Sequence, residues 1–594
     1  MLQRQRILLL ILLLILAACV KNPTAEETDS TPALLYGTIG SEKTYCSTVT
    51  TPGTPTTITA TAQYQYRNAS SLGLTGSSTG NIRYAEVQVI DSSGNTINCG
   101  ETDGSGAISV SIPRTAGTYT LKVLSRADNT HVKASVLNNS TAMTPYSISA
   151  SFTLTGSETS QAVTLPAASL SGTLEGGAFN ILDQIVNANE FIRNNSTCAS
   201  LGNVCTAFTV APKVRIFWSP GLSPGAYYGS PTSAISFYIA DDATSYGMGN
   251  GIYLMGGING SVCVDTDHFD NSVIIHEYGH FLEKAFAYSD SPGGSHNGNS
   301  IIDPRLAWSE GWGNFLQSAV RNNSRYIDTF GNSDCTDSGT GVNVNLNIET
   351  ITSGQDAVSG STYLGEGIFR EVSVSRVLWD TMESNTSGDN FGASVGFAYI
   401  WKVFSDPTSG FASTNVHFRN VGHFNEFMRS LINTNANSHL TDYDALVANE
   451  RQRADRREYA YPLTPQASAT CTFSIQGVSG VNNLARTNDF MMYYYDGSAA
   501  RASINLKYSA SSGIPTDLDL YVWKENYVQD DTASLADASA RFYPESGGVG
   551  IETVSLSGQP AGYYMIQIQT DRDNVNSTAD YYLETNGGSE RLCP

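Results

Sequence analysis

The sequence predicts a multidomain protein: a β-sandwich, then an α+β domain, then a second β-sandwich. Three observations predict it. At 594 residues the chain is too long for one hydrophobic core and is expected to form three or four domains. Only 15% of its residues are charged, and Ser, Thr, Gly, Asn and Tyr are plentiful, a composition of extended structure rather than long helices. The texture also changes twice: alternation of apolar and polar residues dominates both ends, and helical spacing dominates the later part of the middle.

The formal net charge of -22 argues against nucleic acid as a partner, because phosphate binding needs clustered Lys and Arg. Arg4 and Arg6 precede an apolar run at 7–16, which Ala17, Ala18 and Cys19 close. The run is too short to span a membrane comfortably and reads as an export signal. Leu16-Ala17-Ala18-Cys19 resembles the lipobox of bacterial lipoproteins. The resemblance implies cleavage before Cys19, acylation of its thiol and a lipid anchor in the cell envelope. Val20, where an Asp would retain the protein at the inner membrane, favours the outer membrane. Residues 20–33, with Glu26, Glu27 and Asp29, read as a flexible tether. Eight further cysteines are an even number in an exported chain, so disulfides are expected. Grouping by region gives Cys46–Cys99, Cys198–Cys205, Cys263–Cys335 and Cys471–Cys593, although spacing alone does not fix connectivity.

Residues 34–168 form the first predicted sandwich. Alternation at 84–89 and 119–124 marks strands, and 91–95 and 102–106 carry turn residues. These stretches resemble the carboxypeptidase-regulatory-like, immunoglobulin-type modules of bacterial surface proteins. Residues 169–465 form the α+β domain. Strands are expected at 214–218, 235–239 and 251–255, and helices at 271–287, 304–320, 366–382, 394–403, 424–432 and 442–454. Strands followed by helices imply two lobes with a cleft between them. Residues 169–210 could shield that cleft. Residues 466–594 return to alternation, with strands in TDLDLYVW, GIETVSLSG and AGYYMIQIQT. They resemble the pre-peptidase C-terminal domain of secreted peptidases.

The chemistry is concentrated in His276-Glu277-Tyr278-Gly279-His280. Residues four apart share one helix face, so both imidazoles can bind one zinc ion at roughly 2.0–2.1 Å. Ile274, Tyr278, Leu282 and Ala285 give the same helix an apolar face. Glu277 can reach a metal-bound water without being a ligand, the HExxH arrangement. A catalytic zinc needs a third protein ligand and an open position. Glu283 and Phe286 occupy the positions where metzincins carry Gly and His, which excludes that class. On the residues alone, Glu310, His296, Asp290 and Asp303 compete as third ligand. Asp303 can also cap a helix opening at Pro304. HEYGHFLE followed by AWSEGW resembles the gluzincins, which contain thermolysin-like peptidases and bacterial collagenases. The resemblance implies a zincin-like metallopeptidase domain with Glu310 as third ligand to one catalytic zinc. Asn314 stands where thermolysin has the Asp that orients the first His, and it can still accept the imidazole proton. The segment between His280 and Glu310 is also longer than in thermolysin.

Glu277 is expected to act as general base toward a water whose pKa zinc lowers to near 7. Tyr363 is favoured as the donor that steadies the oxyanion, with His296, Tyr288, His417 and His423 competing. Residues 251–257 are read either as the edge strand that pairs with substrate or as a buried strand. Arg370 and Arg376 read either as substrate-carboxylate ligands or as salt-bridge partners. The expected function is a cell-surface zinc endopeptidase acting on peptide or protein substrates. GIYLMGG lacks the Glu with which aminopeptidases anchor a free amine. The alternative is a surface adhesion or scaffold lipoprotein with a spent, zincin-like core.

Overall fold

The computed structural model describes residues 38–594 apart from 51–52, 198–206, 259, 263, 295, 297–301, 332–340, 350–366, 369, 384–391, 409, 414–417, 451, 453–461, 477–487, 509–517, 525–540, 543–545, 549 and 571–577. Cys19, Tyr363 and His417 lie outside the described residues, as do Cys198, Cys205, Cys263 and Cys335. The chain divides into two compact units. One comprises Met1–Asn195, Ala207–Ala285 and Leu316–Leu346, the other Ser196–Thr206, Phe286–Phe315 and Asn347–Pro594.

In the first unit the alternating segments form two sheets with the layout of a β-sandwich. Pro55–Thr61 lies between Ser160–Ala162 and Ala107–Pro113. The second sheet runs Ser147–Leu154, Gly117–Leu124, Glu86–Asp91, Thr96–Glu101. Alternate residues turn inward: Ile58, Val87, Val89, Val110, Ile112, Leu121 and Val123 are buried. The predicted turn at 91–95 is closed by the Asp91 carboxylate, which accepts from the Ser93 and Asn95 amides. Cys46 and Cys99 are disulfide-bonded, one of the pairings grouped from the sequence.

A five-stranded sheet follows, built from β1 (Arg126–Asp128), β2 (Lys133–Leu137), β3 (Val214–Phe217), β4 (Phe237–Ile239) and β5 (Gly251–Tyr253). Its order is β4-β5-β3-β2-β1, with β2, β3 and β5 parallel and both edge strands antiparallel to their neighbours. Two of its strands precede residue 168 and three follow it. Parallel neighbours need a crossover, and α1 (Glu175–Asn195) supplies it between β2 and β3.

Sequence periodicity did not mark α1, because Asn180, Gln184 and Asn189 sit on its buried face. Those amides are satisfied inside the unit. Asn180 donates to the His268 carbonyl at 2.8 Å, and Asn189 donates to the Tyr278 hydroxyl at 2.8 Å while accepting from the Ala211 amide. Residues 175–195 are therefore a core element rather than a detachable shield.

His268 is fully buried against Trp218 and Phe269, and neither ring nitrogen has a hydrogen-bond partner among the described residues. Burial pushes its pKa down to about 3. A depressed value contributes stability that is present above the unfolded value near 6.5 and lost as pH falls toward about 3. Replacing His268 by Phe is expected to remove about 2–3 kcal/mol of the acid sensitivity between about pH 6.5 and 4.5. Urea unfolding of both chains at these pH values checks it; parallel pH profiles would refute it.

Next come α2 (Asn271–Phe286), α3 (Pro304–Arg321) and the paired strands β6 (Arg325–Thr329) and β7 (Val342–Asn347). The division between the units falls inside α3, a single continuous helix. In the second unit, the first half of α3 packs with α4 (Glu371–Met382), α5 (Phe397–Ser405) and α6 (Val421–Asn435), and α7 (Leu440–Asn449) packs with α4 and α6. Trp308 lies on Phe411 and Phe424, and Trp312 stacks on Phe404 with centroids 3.9 Å apart. All six sequence-predicted helices are present with shifted ends, making seven with α1 among the described residues. None of them is long and apolar enough to cross a membrane.

The last segment forms two antiparallel sheets over one apolar core. The three expected strands are Leu518–Lys524, Ile551–Ser555 and Gly562–Thr570; the first and third are neighbours in one sheet, and the second lies in the other. Met491, Ile504, Leu506, Leu520, Val522, Ile566 and Leu583 share that core. Cys471 and Cys593 are disulfide-bonded, the second pairing grouped from the sequence.

Candidate metal centre

Residues 272–283 of α2 are buried without interruption, including His276, Glu277, His280 and Glu283. Such a helix must be fixed on all sides. The Ser272 hydroxyl accepts from Arg321 of α3 at 2.7 Å and from the Ile327 amide of β6 at 3.0 Å. The Asp270 carboxylate takes the Thr329 amide at 2.7 Å. Tyr278 holds α1 through Asn189, and Tyr326 of β6 sets its ring edge-on to His276 with centroids 5.6 Å apart.

The result is a tight pair of imidazoles. His276 Nε2 and His280 Nε2 are 3.1 Å apart. Two nitrogens bound tetrahedrally to one zinc at about 2.05 Å would stand about 3.3 Å apart. The pair is therefore set for a shared ion with little rearrangement.

The third candidate ligand lies on α3. Asp303 caps it, accepting from the Arg305 amide at 2.9 Å, and Pro304 takes the first helical position as the sequence implied. Glu310 then faces the imidazoles: His276, His280 and Glu310 each offer an atom, all within 4.8 Å of one another. The rivals are engaged elsewhere. Asp303 holds Arg305 at 2.7 Å, and Asp290 pairs with Arg419 at 2.9 Å. Asn314 is buried on α3, four residues beyond Glu310.

His296 belongs beside Glu310 rather than among the metal ligands of α2. Its Nε2 lies 3.5 Å from Glu310 and its Nδ1 lies 2.6 Å from Glu371. Glu371 was not singled out in the sequence, where an acid in the first turn of a helix reads as a partner for the helix dipole. His296, Glu310 and Glu371 form a second buried set able to hold a cation. Other residues weighed for the site fall away. Tyr288 is 49% exposed, under the Arg419 guanidinium. His423 is buried and stacked on Phe427. Arg376 forms a buried salt bridge with Glu450 at 2.8 Å, and Arg370 is buried at the N-cap of α4. The strand at 251–253 is interior, so of its two readings the buried one holds; the sheet edge is β4. Tyr238 of β4 meets Phe281, next to His280, edge-on at 6.0 Å.

Gly311, directly after Glu310, is required by packing. A Cβ there would lie 2.5 Å from Val374 Cβ and 2.8 Å from the Glu371 carbonyl oxygen. The residue thus sets the spacing of α3 and α4, the helices that carry Glu310 and Glu371. Gly311→Ala is expected to cost about 1–3 kcal/mol and to lower metal occupancy, with Val374→Ala in the same chain recovering part of both. Thermal melts with elemental analysis check it; full occupancy and an unchanged melt in Gly311→Ala would refute it.

No family model matches the chain, and a search of curated proteins found no match. The fold and the geometry of the site carry the functional argument by themselves.

Proposed function

We propose that the chain is a zinc-dependent endopeptidase of the gluzincin type, with a zincin-like catalytic domain and an export signal that ends in a lipidated Cys19. The observation that carries the reading is the pair of imidazole nitrogens 3.1 Å apart with the Glu310 carboxylate beside them. Two nitrogens and a carboxylate suit zinc better than calcium or magnesium, which prefer oxygen alone. His276, His280 and Glu310 would hold the ion, leaving a fourth position open.

Zinc bound there would supply an acidified water and a Lewis acid for a peptide carbonyl. Glu277, buried and next to His276, accepts the proton of the attacking water and passes it to the leaving amine. His296, whose Nδ1 lies 2.6 Å from Glu371, has its Nε2 beside Glu310 and is the candidate donor to developing charge there. Among the described residues β4 is the outer strand of its sheet, and its Tyr238 meets Phe281 of α2, so an extended peptide could pair on it by backbone hydrogen bonds. Strand addition reads main chain, which fits an endopeptidase.

The two disulfides among the described residues fit an extracellular or envelope location. A lipid anchor in the outer membrane is the proposed means of retention. The test combines metal analysis of the purified chain with hydrolysis of internally quenched peptides blocked at both ends. One zinc per chain with cleavage of blocked peptides is expected. Zinc without cleavage of blocked or free peptides would favour a scaffold role, and no zinc would remove the central inference.

A further inference from the structure

Eleven residues before His276 the chain places a second group of ligand-type side chains, on the loop that leads into α2. One oxygen each of Asp265, Asp267 and Asp328 lies within 4.8 Å of the other two. Asp265 and Asp267 come from the loop, and Asp328 comes from β6.

Asp267 accepts from the Ser236 hydroxyl, and Asp328 Oδ2 accepts from the Asn343 amide at 3.1 Å. Asp328 Oδ1 is buried and has no partner among the described residues, and neither does the Thr266 hydroxyl. Asp265 is only 6% exposed, and its carboxylate receives no hydrogen bond or ion pair among the described residues. A buried carboxylate in that condition costs several kcal/mol as an anion unless a cation answers it. No Lys or Arg forms an ion pair with Asp265, Asp267 or Asp328 among the described residues. Arg321, whose charge acts on the neighbouring Asp270, is engaged with Ser272, Gln317 and the Arg325 carbonyl.

We propose that Asp265, Asp267 and Asp328 form a calcium site that fixes the entry to α2. The donors are all oxygen, which favours hard cations over zinc. Coordination habit then chooses among them: magnesium keeps most of its waters rather than taking a cage of protein oxygens, whereas calcium takes several carboxylates at once. Calcium also tolerates carbonyl, hydroxyl and water oxygens as remaining ligands. The site would cross-link the 265–267 loop to β6, and so hold the N-terminal end of the helix that carries His276. This inference stands whether or not the zinc site is catalytic.

The experiment uses the full chain, dialysed free of calcium with its zinc content checked by elemental analysis, and titrated with calcium chloride or magnesium chloride. At about 1 mM calcium the melting temperature is expected to rise by about 5 °C or more, with one calcium retained per chain. Asp265→Asn and Asp328→Asn are expected to lose the calcium response while keeping zinc. Both should fold without calcium, because each removes a charge from a crowded anionic group. Absence of calcium binding and of any shift in the parent chain up to about 10 mM would overturn the proposal. So would a full calcium response in Asp265→Asn. An equal response to magnesium at the same concentration would overturn the assignment to calcium.

Discussion

Replacing Glu277 by Gln is expected to leave zinc bound and to lower hydrolysis of a quenched casein substrate by about 10³-fold or more. The substitution keeps the shape of the side chain and removes only its ability to take a proton. His276, His280 and Glu310 lie on the same two helices but are untouched, so metal content is the internal control. A general base contributes about 10²–10⁴-fold, and in this scheme the same group also protonates the leaving amine, which places the loss toward the upper end. His280→Ala should differ in kind, losing zinc and activity together. Retained activity in Glu277→Gln would mean that another group handles the proton, with His296 the first to examine.

The second large effect concerns the C-terminal sandwich. Cys471 and Cys593 close a loop with a sequence separation of 122. Loop-closure entropy for that length corresponds to about 4–5 kcal/mol, a large share of the stability of a typical domain. Replacing both cysteines by Ser is expected to bring its unfolding to markedly lower denaturant, with the zinc content unchanged. Limited proteolysis followed by mass analysis would locate the first cuts within 464–594. Coincident unfolding of parent and variant would mean that the apolar core shared by the two sheets suffices alone.

The parts of the site that were legible in the sequence are those fixed by local geometry. Four-residue spacing puts His276 and His280 on one face of any helix, and Asp303 with Pro304 marks the start of the next. Glu310 was reached through the resemblance of HEYGHFLE and AWSEGW to the gluzincin pattern; local geometry alone left His296, Asp290 and Asp303 beside it. Glu371 was not, since only tertiary packing brings it 2.6 Å from His296. The role of Gly311 was hidden for the same reason: nothing in SEGWG shows that Val374 will press against it. At the level of the fold, alternation found the strands but not their partners. Val214–Phe217 read as a strand, yet its pairing with Lys133–Leu137 joins residues about eighty positions apart. The helix at Glu175–Asn195 escaped because its buried amides look, in sequence, like a solvated surface.

That pairing bears on how the gene can be cut. A fragment that starts at residue 169 would keep every residue proposed to bind zinc, yet it would lack Arg126–Asp128 and Lys133–Leu137. Val214–Phe217 would then present an unpaired parallel edge, and Glu175–Asn195 would lose the strand from which it crosses over. The shortest piece able to complete the sheet behind the metal helix begins before Arg126, inside the first sandwich. Synthesis from the N-terminus would deliver those two strands before the three that complete the sheet.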